Sequence, residues 1–210
     1  DVHAGEVVAL LGPNGAGKTT TLATISGLLA PIAGEVEVLG SPPDVRRPHL
    51  VARRGLAHVP EERAIFGGLT VAENLRLGTH AGRVPLDRVL RHFPALEPLL
   101  DRQAALLSGG EQQMLAVGRA VASSPAVLLV DEMSLGLAPI IVERLLPVLR
   151  TMASDDGTAV LFVEQHVHLA LAVADRAVIL NHGEVVAAGS AAELAGDAAR
   201  LEASYLGATP

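Results

Sequence analysis

Cysteine and tryptophan are absent from the 210 residues, and aromatic side chains make up only 2% of them. Without cysteine there can be no disulfide and no thiolate-held metal, a composition that suits a reducing compartment. Basic residues are outnumbered, with 16 Lys and Arg against 23 Asp and Glu for a net charge of −7, and no basic run occurs. The electrostatic footprint of a nucleic-acid binder is missing, and no nucleic-acid partner is expected. No apolar stretch approaches the roughly 20 residues that span a bilayer, and no signal peptide opens the chain, so it reads as soluble. Internal repeats and low-complexity linkers are also absent, and Lys18 is the only lysine. The first residue is Asp1 rather than Met, within what reads as a strand tail or turn over Val2–Glu6, so a segment upstream is expected.

What remains is apolar: hydrophobic residues are 50% of the chain and the mean hydropathy is +0.39. That suits one globular domain, with room for a small subdomain, since domains run to about 100–200 residues. So high a hydropathy with so few aromatics fits an apolar face covered by a partner, or a core built from Ala, Val and Leu.

The most informative stretch is Gly12-Pro13-Asn14-Gly15-Ala16-Gly17-Lys18-Thr19-Thr20, preceded by the apolar run Val7–Leu11. This is the spacing of a phosphate-binding loop between a buried strand and a helix. Gly15 and Gly17 allow successive backbone N–H groups to point inward, Lys18 supplies charge for the β- and γ-phosphates, and the Thr19 hydroxyl can ligate Mg²⁺. The bland alternative is a glycine-rich turn that binds nothing, but two glycines at fixed spacing followed by Lys-Thr make that a poor account.

Down the chain, Thr19–Leu28 reads as a helix ending before Pro31, and Gly34–Gly40 as a strand with one solvated face on an antiparallel edge. Arg46, Arg47, Arg53 and Arg54 lie among prolines and read as a solvated loop. A short strand over 55–59 delivers Glu61 to the place where open α/β sheets bind ligands. From the capping box Thr70-Val71-Ala72-Glu73, residues to about 103 read as short helices broken by Gly82, Pro85, Pro94 and Pro98: a helical subdomain inserted in the sheet domain. Its His80 and His92 read as solvated.

Ser108-Gly109-Gly110-Glu111 then opens another helix. Ser108 and Glu111 form a capping box, yet two glycines in a first turn cost about 1 kcal/mol each unless something must approach the backbone there. That makes a second anion site, usable with the first on one nucleotide only if the chain folds them together or dimerises. Pro125–Val130 is a buried strand ending in Asp131 and Glu132, which suits Asp131 to Mg²⁺, through water, and Glu132 to the general base on an attacking water. A helix cap is the alternative there. Pro139 starts a helix to Met152, Thr158–Val163 is the next buried strand, and Val167–Ala174 a crossover helix. A hairpin follows, turning at Asn181-His182-Gly183, and Ser190 and Glu193 cap a last helix.

Taken in order, these stretches resemble the ATP-binding subunit of an ABC transporter over nearly the whole chain. The most specific element is Leu107-Ser108-Gly109-Gly110-Glu111 between the phosphate loop and Val127–Glu132. Val59-Pro60-Glu61, Leu107–Leu115, Gly136–Pro139 and Val163-Glu164-Gln165 make it most similar to the smaller ATPase subunit of branched-chain amino acid importers; the urea and amide importers are close by. The resemblance implies an α/β fold with a mainly parallel sheet (residues 1–69 and 104–210), antiparallel edge strands, and the helical insertion at about 70–103. It also implies ATP and Mg²⁺ as ligands and a head-to-tail dimer, with itself or a second ATPase subunit. Each ATP would lie between one phosphate loop and the partner's Ser108–Glu111. Membrane subunits would dock near Ile65–Leu77 at the cytoplasmic face of the bacterial membrane, served indirectly by a solute-binding protein.

The departures from the family pattern are specific. Glu61 stands where a Gln usually links Mg²⁺ to the membrane partner. Gln165 stands where a switch His is usual, with His166 one place later, so hydrolysis leans more on Glu132. Met133 replaces a usual Pro, and the aromatic residue that stacks on adenine falls upstream of Asp1. A non-transport ABC module, or a site that binds without hydrolysing, stays open at this level.

Overall fold

The computed structural model describes residues 1–79, 85–134 and 136–196; His80, Gly82 and Leu135 lie outside them. Among the described residues, six strands form one sheet: β1 (Val7–Leu11), β2 (Leu56–Val59), β3 (Val127–Val130), β4 (Ala159–Val163), β5 (Arg176–Asn181) and β6 (Glu184–Ser190), in the order β2-β3-β4-β1-β5-β6. All neighbouring pairs are parallel except β5–β6. The continuous apolar runs follow from burial on both faces. Side chains alternate across a strand, so Val7, Ala9 and Leu11 enter one core layer while Val8 and Leu10 enter the other.

Helices cover both faces. Among the described residues the α-helices are α1 (Lys18–Ile25), α2 (His49–Arg53), α3 (Val71–Leu77), α4 (Leu86–His92), α5 (Gly109–Ala122), α6 (Pro139–Asp156), α7 (Val167–Val173) and α8 (Ala191–Gly196), with short 3-10 turns at Pro94–Leu99 and Ala104–Leu106. Leu22 of α1 and Val51 of α2 pack on the face of Val8 and Leu10; Leu75, Val89, Leu115, Leu149 and Ala170 pack on the other. The connections leaving β1 and β4 therefore run to opposite faces, which opens a crevice at the carboxyl ends of these two adjacent strands.

Several local expectations hold and several do not. The capping boxes at Thr70 and Ser108 form, with both reciprocal bonds present, and Ser190 and Glu193 make the same pair at α8. The hairpin turns through His182 and Gly183, both at positive φ. The expected strand at Gly34–Gly40 is absent: Val38 only bridges Ser41, and no described strand lies alongside to supply a ladder. Helix α1 ends at Ile25, where Ser26 and left-handed Gly27 stop it well before Pro31. Helix α6 outruns Met152 because its C-terminal stop is Gly157, at φ 68°. Helix α2 arises in the arginine-rich stretch, where only a loop was expected; Arg46, Arg47 and Arg53 are nonetheless exposed.

His92 is not solvated. Its side chain is 3% exposed and its Nε2 lies 3.4 Å from Asp156, which also pairs with Arg88 at 3.0 Å. A helical pattern drawn from sequence cannot place α4 against the end of α6.

Candidate nucleotide site

Four loops meet at the carboxyl ends of four adjacent parallel strands. The glycine-rich loop follows β1, Glu61 follows β2, Asp131 and Glu132 follow β3, and Glu164 and Gln165 follow β4. Between them is a cleft of about 370 Å³ lined by Asn14, Gly15, Gly17, Lys18, Thr19, Thr20, Glu61, Glu132 and Gln165. Gly12, Pro13 and Ala16 shape the loop from beneath. At Gly12, φ is 147° and a Cβ would lie 2.1 Å from the Leu180 carbonyl oxygen, so no side chain fits. The Ala16 N–H is already bonded to the Pro13 carbonyl.

Helix α1 leaves this loop with Gly17 at its N-cap, left-handed at φ 102°, and no side chain caps it. The first N–H groups of a helix have no partner within it, so these amides face the cleft unclaimed. Lys18 is buried, and its ammonium donates to the carbonyls of Gly12 and Pro13, each at 3.0 Å, with Glu132 at 3.6 Å. The loop is thus folded around its own cation.

Asp131 is 2% exposed. Burial raises its pKa, opposed by a hydrogen bond from the Thr19 hydroxyl and reinforced by the charge of Glu132. Its Oδ1 has no hydrogen-bond partner. Glu61 is also pushed up, by desolvation and then by Glu132, Asp131 and Glu62. An orphaned carboxylate oxygen beside a hydroxyl, among acids that repel one another, fits a hard divalent cation, whose charge would reverse these shifts. No group of three or more His, Asp and Glu among the described residues could hold a metal by itself.

Glu132 sits at φ 43°, unusual for a residue with a side chain, and its N–H donates to the Val163 carbonyl. Gln165 Nε2 donates to Glu132 Oε2 at 2.8 Å and to Asn14 Oδ1 at 3.2 Å, spanning the crevice between β4 and β1. His166 is exposed at the N-cap of α7 and does not line the cleft.

Ser108, Gly109, Gly110 and Glu111 do not line the cleft either. They form the N-terminus of α5, with Ser108 and Gly109 exposed. One glycine has an internal reason: a Cβ on Gly110 would come within 3.1 Å of Ile141 Cγ2, whereas one on Gly109 would make only ordinary contact with Leu137 at 3.5 Å.

Sequence reasoning missed the residues that brace these loops. Arg63 donates to the side chains of Gln113 at 2.9 Å and Gln112 at 3.0 Å, tying the loop after Glu61 to α5. Asn74, wholly buried, bonds both backbone groups of Phe66. Glu164, also wholly buried, accepts from Ser134. A polar residue at the end of an apolar strand is the only sequence signal for the last.

A family model described as ABC transporter matches residues 1–134. The chain belongs to the ABC transporter family. This ABC protein is 41% identical over 196 residues to the high-affinity branched-chain amino acid transport ATP-binding protein BraG of Pseudomonas aeruginosa, covering 89% of this chain and 82% of that one. It is 35% identical to the probable branched-chain amino acid transport ATP-binding protein LivF of Archaeoglobus fulgidus, over 92% and 84% of the two chains. Among solved structures it resembles the dimeric form of MJ0796, a bacterial ABC transporter cassette, with a TM-score of 0.80, 26% identity and coverage of 91% and 88%. The ABC protein is thus an ATP-binding and ATP-hydrolysing subunit, and the energy of its hydrolysis drives transport. No helix among its described residues is long and apolar enough to cross a membrane.

Proposed function

We propose that this ABC ATPase powers import of branched-chain amino acids from the cytoplasmic face of a bacterial membrane, working head-to-tail with a second ATPase subunit. The observation that carries the dimeric part is the separation of the two phosphate-facing helix ends: the cleft around Lys18 is built without Ser108–Glu111, whose first two residues, Ser108 and Gly109, lie exposed. One ATP reaches both ends only when the second comes from another chain. The relatives named for branched-chain amino acid transport support the choice of solute.

In this reading the open amides of α1 and Lys18 hold the β- and γ-phosphates, and Thr19 and Asp131 hold Mg²⁺ with Glu61 nearby. Magnesium would neutralise phosphate charge. Glu132 accepts the proton of the attacking water, and Gln165, already bonded to it, orients its carboxylate. His166 takes no part unless its loop moves. Residues of about 70–103 form the helical subdomain. Permease subunits dock beside Ile65–Leu77, where a groove is lined by Leu77, His58 and Arg119, with Phe66 half exposed under the Arg119 guanidinium.

Glu132→Gln tests the core of this proposal. ATP binding should persist, turnover should fall by about 10²–10⁴-fold, and an ATP-dependent dimer should accumulate in sizing experiments. Undiminished hydrolysis would remove Glu132 from the mechanism. Co-purification of the membrane and solute-binding subunits, followed by uptake of labelled leucine against urea, decides the solute.

A further inference from the structure

Glu164 ends β4 with a carboxylate of zero exposure. It belongs to none of the ion pairs found among the described residues. A buried carboxylate is unfavourable unless its oxygens are satisfied, and three donors satisfy this one. Ser134 N–H donates to Oε1 at 3.0 Å; Ser134 Oγ and the Gln165 N–H donate to Oε2 at 2.6 and 3.3 Å. Ser134 lies two residues beyond Glu132 and Gln165 one residue beyond Glu164, so both neighbours of this knot carry side chains of the cleft. Two further bonds close the stitch between the loops: Glu132 N–H to the Val163 carbonyl, and Gln165 Nε2 to Glu132 Oε2.

The same loop reaches the other helix end. Leu137, whose N–H bonds back to the Ser134 carbonyl, lies against Gly109 at the start of α5. Ser134 therefore stands between the base in the cleft and the helix that must meet the partner's nucleotide.

We propose that Glu164 is a positioning residue: by gripping Ser134 it holds Glu132 in its left-handed backbone conformation beside Gln165, and it makes the loop leading to Gly109 move with that pair. The inference rests on the reading of Glu132 as the base. Because the knot joins the loop of Glu132 to that of Gln165, breaking it would free both at once, and this gives the two helix ends of one chain a physical link.

The test is steady-state hydrolysis and ATP binding by the full-length subunit in its transporter complex. Glu164→Met keeps the volume and removes the acceptors; kcat should fall about 10- to 100-fold, the scale of a small misplacement of a reacting group, with KM for ATP within about twofold. Ser134→Ala, which removes one hydroxyl and leaves the fold intact, should lower kcat in the same direction, and adding it to Glu164→Met should cost little more. Glu164→Gln retains an acceptor for the Ser134 N–H and should restore most of the rate. Parental kcat in both Glu164→Met and Ser134→Ala overturns the proposal, as do fully additive losses or a loss confined to KM. Glu132→Gln separates the two ideas: if it turns over normally the base assignment fails, whereas slow Glu132→Gln beside fast Glu164→Met sinks the positioning role alone.

Discussion

Two helix N-termini in this protein face outward with glycines in or beside their first turns, and they are prepared differently. Helix α1 begins after left-handed Gly17, with no side chain on its amides and no acid in its first turn. Helix α5 begins after Ser108, which accepts from the Glu111 N–H at 3.4 Å, while Glu111 accepts the Ser108 N–H at 2.7 Å. That bond holds the Glu111 carboxyl below its ordinary pKa, so a negative charge sits at the mouth of α5. An anion arriving at α1 meets unclaimed donors and Lys18. At α5 it must displace a long hydrogen bond and pass a carboxylate. The difference teaches that two helix ends of similar sequence signature differ in charge and in free donors: α1 is prepared for an anion by itself, whereas the proposed role of α5 needs a phosphate already neutralised elsewhere.

The largest effect that could break this contrast is at Lys18. Lys18→Met should weaken ATP binding to the isolated chain about a hundredfold, the scale of lost bonds to a charged donor, while Ser108→Ala leaves it within about twofold. Equal losses in a fluorescent-nucleotide titration would erase the distinction. Next, Ser108→Ala should slow steady-state turnover about tenfold to a hundredfold by removing one donor to the phosphate charge, and lower stability by about 1 kcal/mol through the lost cap.

A smaller effect separates the two glycines. Gly109→Ala has room and should raise stability by about 0.5–1 kcal/mol in urea melts, because Ala favours helix, yet it should slow hydrolysis by crowding the approach of nucleotide. Gly110→Ala meets Ile141 and should bring no such gain. A stabilised Gly109→Ala with parental turnover would mean that nothing approaches that backbone.

The smallest effect is a control away from both helix ends. Burial holds the pKa of His58, on β2, below its ordinary value. The unfolded chain therefore binds the proton first as pH falls below about 6.5. His58 should contribute stability that is fully present above that pH and declines as pH drops toward the lowered native value. Denaturant melts at pH 7.5 and 5.5 should show a shallower loss for His58→Gln, with ATP affinity at neutral pH unchanged.

Legibility in the sequence followed the range of the interaction. The phosphate loop, the capping boxes at Thr70 and Ser108 and the buried strands ending at Asp131 and Glu164 are local patterns, readable because each depends on residues within a few positions. The expected strand at Gly34–Gly40 failed because alternation says nothing about whether a partner strand is present. The burial of His92 is not legible because Asp156, which lies beside it, is distant in sequence. Arg63, Asn74 and Ser134 carried no signal, since a hydrogen bond between a loop and a separate element or loop leaves no recurring spacing to detect.

The sequence by itself determined the chemistry: one lysine in a glycine-rich turn, two acids after an apolar strand, and a serine and two glycines opening a helix. Those depend on backbone conformation and residue type within a single turn or strand. Only the tertiary structure decided which of them share a space. The order β2-β3-β4-β1 places Glu61, Asp131, Glu132 and Gln165 around Lys18, and it leaves Ser108–Glu111 outside the cleft. Sheet order is set by which apolar faces pack together over the whole chain, and no short window of residues contains that information.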